Sequence, residues 1–160
     1  DLQREGSGEL AFNSLAVPQV AALLATGNAV IALLSLMLGR YWQAELYNPG
    51  GFGDEFRALK LPAGAVMAMA LVAATLWWMG PDWRVWSAAA VLPLTIVGFA
   101  LVHAFAAHAN KGVAWLTLMY MLWVVLDLLK WVWVGCVVID AFADFRARWA
   151  SPTGKGSGGA

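Results

Sequence analysis

An all-α fold is predicted: a polytopic transmembrane helix bundle of about 4–5 membrane-spanning helices plus a short interfacial helix/loop. Two observations carry this expectation. Of 160 residues, 61% are hydrophobic and 12% charged, whereas a soluble domain has about 25% charged residues and is about half apolar. The mean hydropathy is +0.68. Ten Trp suit a chain that meets membrane interfaces repeatedly, because indole rings collect where hydrocarbon meets headgroups. The formal net charge is +0, so no basic face points to nucleic acid or to anionic lipid as a partner, and no nucleic acid is expected.

The ends are polar. Residues 1–14, DLQREGSGELAFNS, lack the basic lead, short apolar core and cleavage site of a signal peptide. Without an initiating Met, this segment is expected to follow further spans. The tail, residues 149–160, ends in SPTGKGSGGA and is expected to be disordered. The domain between them, residues 15–148, holds the spans. The first runs over about 15–38, with Asn13 or Ser14 as N-cap and Pro18 in the first turn, where its missing N–H costs nothing. The second covers 62–79: Pro62 opens it, Trp77 and Trp78 mark an interface, and Gly80-Pro81-Asp82 turns the chain. The third covers 84–108 and contains Pro93, which predicts a kink. Small residues in these two spans, among them Ala70, Ala73, Gly98 and Ala104, predict that they pack against each other or against a partner. Leu71, Leu76, Phe99 and Phe105 are left to face lipid or fill gaps.

The last apolar region, from Gly112 to Phe142, poses the main question of topology. As one straight helix it would be about 45 Å long, against a hydrocarbon core of about 30 Å, with Asp127 and Lys130 near the midplane. A charge there costs about 2.5–3.5 kcal/mol on insertion scales. The alternative is a hairpin of short spans, about 112–126 and 130–146, with Asp127-Leu128-Leu129-Lys130 at the turn and Trp123, Trp131 and Trp133 flanking it. Charge bias favours the hairpin. With the loop from Arg40 to Lys60 inside the cell, five crossings also place Lys111, Arg146, Arg148 and Lys155 inside. Asp140, Asp144 and Arg146 are then expected to form an exposed helix end. Cys136, the single cysteine, excludes an internal disulfide and is expected to be a small core residue.

The 39–62 loop, GRYWQAELYNPGGFGDEFRALKLP, is the most distinctive stretch. Tyr41, Trp42, Leu46 and Tyr47 read as an interfacial segment, and Asn48-Pro49-Gly50-Gly51 breaks it. Asp54 and Glu55 suit the start of another short helix, which Phe52 and Phe56 would anchor to the membrane surface. Arg57 has Glu55, Asp54 and the C-terminal acids as available partners.

From about Arg40 to Arg148, this loop, then ALVHAFAAHANKG, then VIDAFADFRARW, resembles the C-terminal half of the YybS-like family of uncharacterised bacterial polytopic membrane proteins. The resemblance implies further spans before this region. It also implies a general likeness to substrate-binding subunits of energy-coupling-factor transporters. It implies no ligand and no catalytic residue.

Few residues offer chemistry. His103 and His108 are five apart, so they lack the i,i+4 spacing of a zinc helix, and no metal or cofactor is expected. His103 sits inside a span and is a candidate for a polar contact with a ligand or another helix, the interhelical hydrogen bond being preferred. Glu55, Phe56 and Arg57 form a candidate interaction set. Asp127 and Lys130 are candidates only if the long helix holds. No Ser-His-Asp set, carboxylate pair or nucleotide loop emerges from spacing, so no enzyme is expected. The expected function is a solute-binding or transport-related subunit of the bacterial inner membrane, with a structural or accessory subunit as the alternative. The expected partners are the lipid bilayer, other membrane subunits and a cytoplasmic protein at the 39–62 loop.

Overall fold

A computed structural model describes residues 17–150, so the N-cap expected at Asn13 or Ser14 and the tail expected to be disordered over 151–160 lie outside the described residues. All regular structure among the described residues is helical. The helices are α1 (Val17–Tyr47), α2 (Gly51–Ala58), α3 (Ala63–Trp78), α4 (Pro81–His108), α5 (Val113–Val125), α6 (Asp127–Ala143) and α7 (Phe145–Ala150). By length and composition, α1 and α4 are apolar enough to cross a membrane. The bent pairs α2–α3 and α5–α6 raise the number to as many as four if each pair counts as one span.

Helix ends follow from local chemistry. α1 runs nine residues past the predicted end of its apolar span, because nothing from Gly39 to Tyr47 breaks a helix until Asn48-Pro49. Gly50, at φ 84°, then makes the left-handed turn into α2. Pro62 is the extended N-cap of α3, and Pro81 occupies the first turn of α4 with Asp82 beside it. α4 continues through Pro93 for 28 residues. It ends in a Schellman motif: Lys111 N–H donates to Ala106 O at 2.8 Å and Asn110 N–H to Ala107 O at 3.3 Å, with Asn110 at φ 49°.

α4 is the hub, touching every other helix group, and α3 packs against it most extensively. The core is a cluster of Val66 from α3, Leu94 and Val97 from α4, and Val137 from α6. Phe99 fills the space between α4, α5 and α6, its ring lying against Tyr120, Trp123 and Trp133. Beside it Gly98 is obligatory, since a Cβ there would fall on the Trp133 indole. The outside of the bundle is apolar: Leu24, Ile31 and Leu36 of α1, Leu71 of α3, and Val125, Leu128 and Phe142 of α5 and α6 are all exposed.

The helices connect two ends. At the first, Gln19 of α1 donates to Asp82 of α4 at 2.9 Å, and Trp131 of α6 lies edge-on to Trp77 of α3. At the second, Lys60 pairs with Asp144 at 2.7 Å, and the His108 ring stacks on Trp149. α5 leaves the second end at Val113, the chain bends by 115° between α5 and α6, and α6 returns to the second end at Ala143. The break is the single residue Leu126, at φ −106° and ψ 105°. Asp127-Leu128-Leu129-Lys130, predicted as the turn, is instead the first turn of α6.

Three further expectations need correction. Cys136 is exposed, not a core residue. The buried stripe of α6 runs through Trp133, Val137 and Asp140, and residue 136 falls one position to its outer side. The tail does not begin at 149, because Trp149 belongs to α7 and packs on Phe105, His108 and Phe145. Of the three residues expected at an exposed helix end, only Asp144 is exposed: Asp140 is 2% exposed and the Arg146 side chain 12%. The chain reverses at Asp144, φ 48°, which brings Arg146 back over the last turn of α6.

Candidate functional site

The second end of the bundle gathers most of the polar side chains, and α2 organises it. α2 is short and amphipathic, so it turns its aromatic face to the bundle. Phe52 meets Tyr41 edge-on at 5.8 Å and stacks with Phe56 at 6.1 Å, and Phe56 meets the His103 ring at 5.3 Å. The two phenylalanines expected to anchor α2 to the membrane surface are thus half-buried against protein.

Four polar ties hold α2 and the strand of chain after it. Arg40 Nε donates to Glu55 Oε2 at 2.7 Å, and its Nη2 reaches the other carboxylate oxygen. This guanidinium holds the Glu55 carboxyl below its ordinary pKa. Arg57 pairs with Asp54 one turn away. Lys60 pairs with Asp144, whose carboxyl it likewise holds below the ordinary value. Arg146 Nη1 donates to the carbonyls of Arg57 and Leu59, the last residues leaving α2.

Arg146 is itself anchored by Asp140, at 3.3 Å, with side-chain exposures of 12% and 2%. Burial pushes its pKa down, and the Asp140 and Asp144 carboxylates oppose that shift. Asp140 Oδ1 also accepts from Phe145 N–H at 3.0 Å, fixing the reversal between α6 and α7. The sequence reading missed this pair. Its only signal was an acid in the last turn of an apolar helix, followed six residues later by an arginine.

α2 divides two cavities. One, of about 260 Å³, lies between α1, α2 and α4; Leu33, Met37 and Ile96 line it with Phe52 and Phe56, and Arg40 and Glu55 add its ion pair. The other, of about 470 Å³, opens at the second end among Arg57, Lys60, His108, Arg146 and Trp149, over a floor that includes Ala104 and Ala107. The predicted set is therefore split: Glu55 and Phe56 serve the first cavity, Arg57 the second.

His103 makes an interhelical contact. Its Nδ1 is 2.9 Å from Phe99 O in the preceding turn, and its Nε2 is 3.4 Å from Tyr120 Oη on α5. With Phe56 above, His103 links α2, α4 and α5. Asp127 and Lys130 lie apart from all this, near the α5–α6 bend. They pair with each other at 2.6 Å, and the Lys130 ammonium sits 5.6 Å from the Trp123 ring centre. The Asp127 side chain is 90% exposed in the chain. Among the described residues, no three His, Cys, Asp or Glu side chains converge as a metal site.

Compared with known proteins, the chain matches no protein-family model, no curated protein and no solved structure.

Proposed function

We propose that the chain is a multi-pass protein of the bacterial inner membrane with five crossings, α1, α3, α4, α5 and α6, and that it serves as a solute-binding or transport-related subunit without catalytic activity. The topology reading draws support from charge. The second end carries Arg40, Arg57, Lys60, Lys111, Arg146 and Arg148, the first end Arg84 and Lys130, which matches a cytoplasmic second end. The short arms α5 and α6, 13 and 17 residues, meet at a bend of 115°, so at least one of them crosses tilted, and both require the bilayer around them to thin. The likeness of residues 40–148 to the YybS-like family belongs to the same proposal.

One observation carries the solute-binding reading: the 260 Å³ cavity beneath α2, apolar on most sides with one ion pair. Apolar walls with a few convergent polar groups are the usual form of a small-molecule site, and this one suits a small, mostly apolar solute with one charged end. The test is a thermal-shift panel of short aliphatic and aromatic carboxylates and amines on the detergent-purified chain and on Ile96→Trp, which fills the cavity. A solute that raises the Tm of the unmodified chain and not of Ile96→Trp supports the reading. No shift across the panel contradicts it.

The accessory-subunit reading has its own observation. α5 has no buried residue, and α1 buries only Ala22 and Ala44, so both present apolar faces to lipid or to another subunit. Stable co-purification of a second membrane protein, lost when Leu24 and Ile31 become Ala, favours that reading.

A further inference from the structure

We propose that the 470 Å³ cavity at the second end is a binding site for an anionic phospholipid, with Arg57 and Lys60 on the phosphate and the alanine floor against the start of the acyl chains. Three features of the cavity point to this occupant.

The first is charge. The lining holds the cations Arg57, Lys60 and Arg146 against one acid, Asp54. Arg146 is committed to Asp140 and to the backbone behind α2, so its charge is already compensated and the site rests on Arg57 and Lys60. Arg57 and Lys60 are held only by Asp54 and Asp144, whose side chains are 81% and 51% exposed. Surface pairs of this kind contribute little and exchange readily. A phosphate offers both cations a stronger, multidentate partner and leaves the two carboxylates in water.

The second is the mixed lining. Ala58, Ala104 and Ala107 provide an apolar floor. A free inorganic anion gains nothing from such a surface and loses hydration beside it. An amphiphile gains on both counts.

The third is position. The cavity opens at the last turn of α4, where His108 and Trp149 stack at 5.3 Å beside the mouth. On the proposed topology this end meets the cytoplasmic membrane surface, where an indole is a common interfacial anchor. Basic pockets between helices on the cytoplasmic side of a membrane are a recurrent setting for anionic headgroups. The site does not depend on the solute reading, because the other cavity lies on the far side of α2.

The test is lipid titration of the purified full chain in detergent, read by native mass spectrometry. Phosphatidylglycerol, phosphatidylcholine and inorganic phosphate are compared on the unmodified chain, on Arg57→Gln/Lys60→Gln and on Arg84→Gln/Lys130→Gln at the opposite end. A charge-retaining variant, Arg57→Lys/Lys60→Arg, separates loss of charge from loss of fold. The unmodified chain should bind phosphatidylglycerol in preference to phosphatidylcholine. The Arg57/Lys60 neutral variant should bind it about thirtyfold more weakly, about a factor of five per basic residue. The first-end variant and the charge-retaining variant should bind like the unmodified chain. Equal binding of the two lipids, equal loss in the first-end variant, or displacement of phosphatidylglycerol by millimolar inorganic phosphate would each overturn the proposal.

Discussion

Asp140 is the residue on which the second end of the molecule turns. It accepts the Phe145 N–H, faces the Arg146 guanidinium, and is nearly sealed from solvent. Removing it strips the largely buried Arg146 of its nearest counter-charge and leaves only the more exposed Asp144, a change that costs up to about 3–5 kcal/mol. Asp140→Ala should therefore lower the Tm of the detergent-purified chain sharply. Asp140→Leu combined with Arg146→Met should recover most of the loss, since an apolar pair removes both desolvation penalties. A second residue-scale prediction concerns Gly98. Alanine there drives a methyl into the Trp133 ring and should cost about 1–3 kcal/mol, whereas Gly64→Ala, with open space around it, should cost nothing measurable. Neither feature was legible beforehand. Gly98 read only as one of several small residues in its span. Asp140 and Arg146 are six apart, a spacing that no continuous helix brings together; only the left-handed Asp144 makes it a contact.

At the scale of elements, α2 is held by ion pairs at its margins and by aromatic rings beneath it, and these respond differently to pH. Arg40 lowers the Glu55 pKa in the folded chain from an ordinary value of 4.5. The pair's contribution is therefore complete above that value and is lost as pH falls through the lower folded pKa. The Tm difference between the unmodified chain and Glu55→Gln should be present at pH 7 and vanish as the pH drops below 4.5. The aromatic contacts of Phe56 should persist through the same titration. Much of this element was readable: Gly50 for the turn, Asp54 for the first turn of a helix, and the prolines before α3 and α4 all announced themselves locally. The direction of its aromatic face was not, because Phe52 and Phe56 suit a membrane surface and a helix bundle equally well. The end of α1 was placed early for a related reason: apolar content marks where a membrane span ends, and the helix itself continues on backbone hydrogen bonds until a proline stops it.

For the whole molecule, hydropathy announced helices and membrane-scale length, but one residue decides how the last apolar region folds. Leu126 is an ordinary leucine with no glycine or proline beside it, so no local signal marks the break. The clues were indirect: the length of the region, the charges just beyond the break, and the basic residues after it. In the fold these converge, because Lys60 meets Asp144, and the carbonyls that follow α2 meet Arg146. Both ends of the α5–α6 pair thereby meet the second end of the bundle, and Asp127 with Lys130 is left exposed near the bend. In the proposed topology, α5 and α6 cross the membrane separately and return the chain to the side from which α5 set out. The most direct measurement is thiol labelling in intact cells with a reagent that cannot cross the membrane, using Lys130→Cys and, separately, Arg148→Cys. Each is placed in a Cys136→Ser background, which matters because Cys136 is itself exposed. Position 130 should label from outside and position 148 only after the cells are permeabilised. Protection at 130 together with labelling at 148 from outside would contradict this topology, and would make residues 113–143 a single crossing.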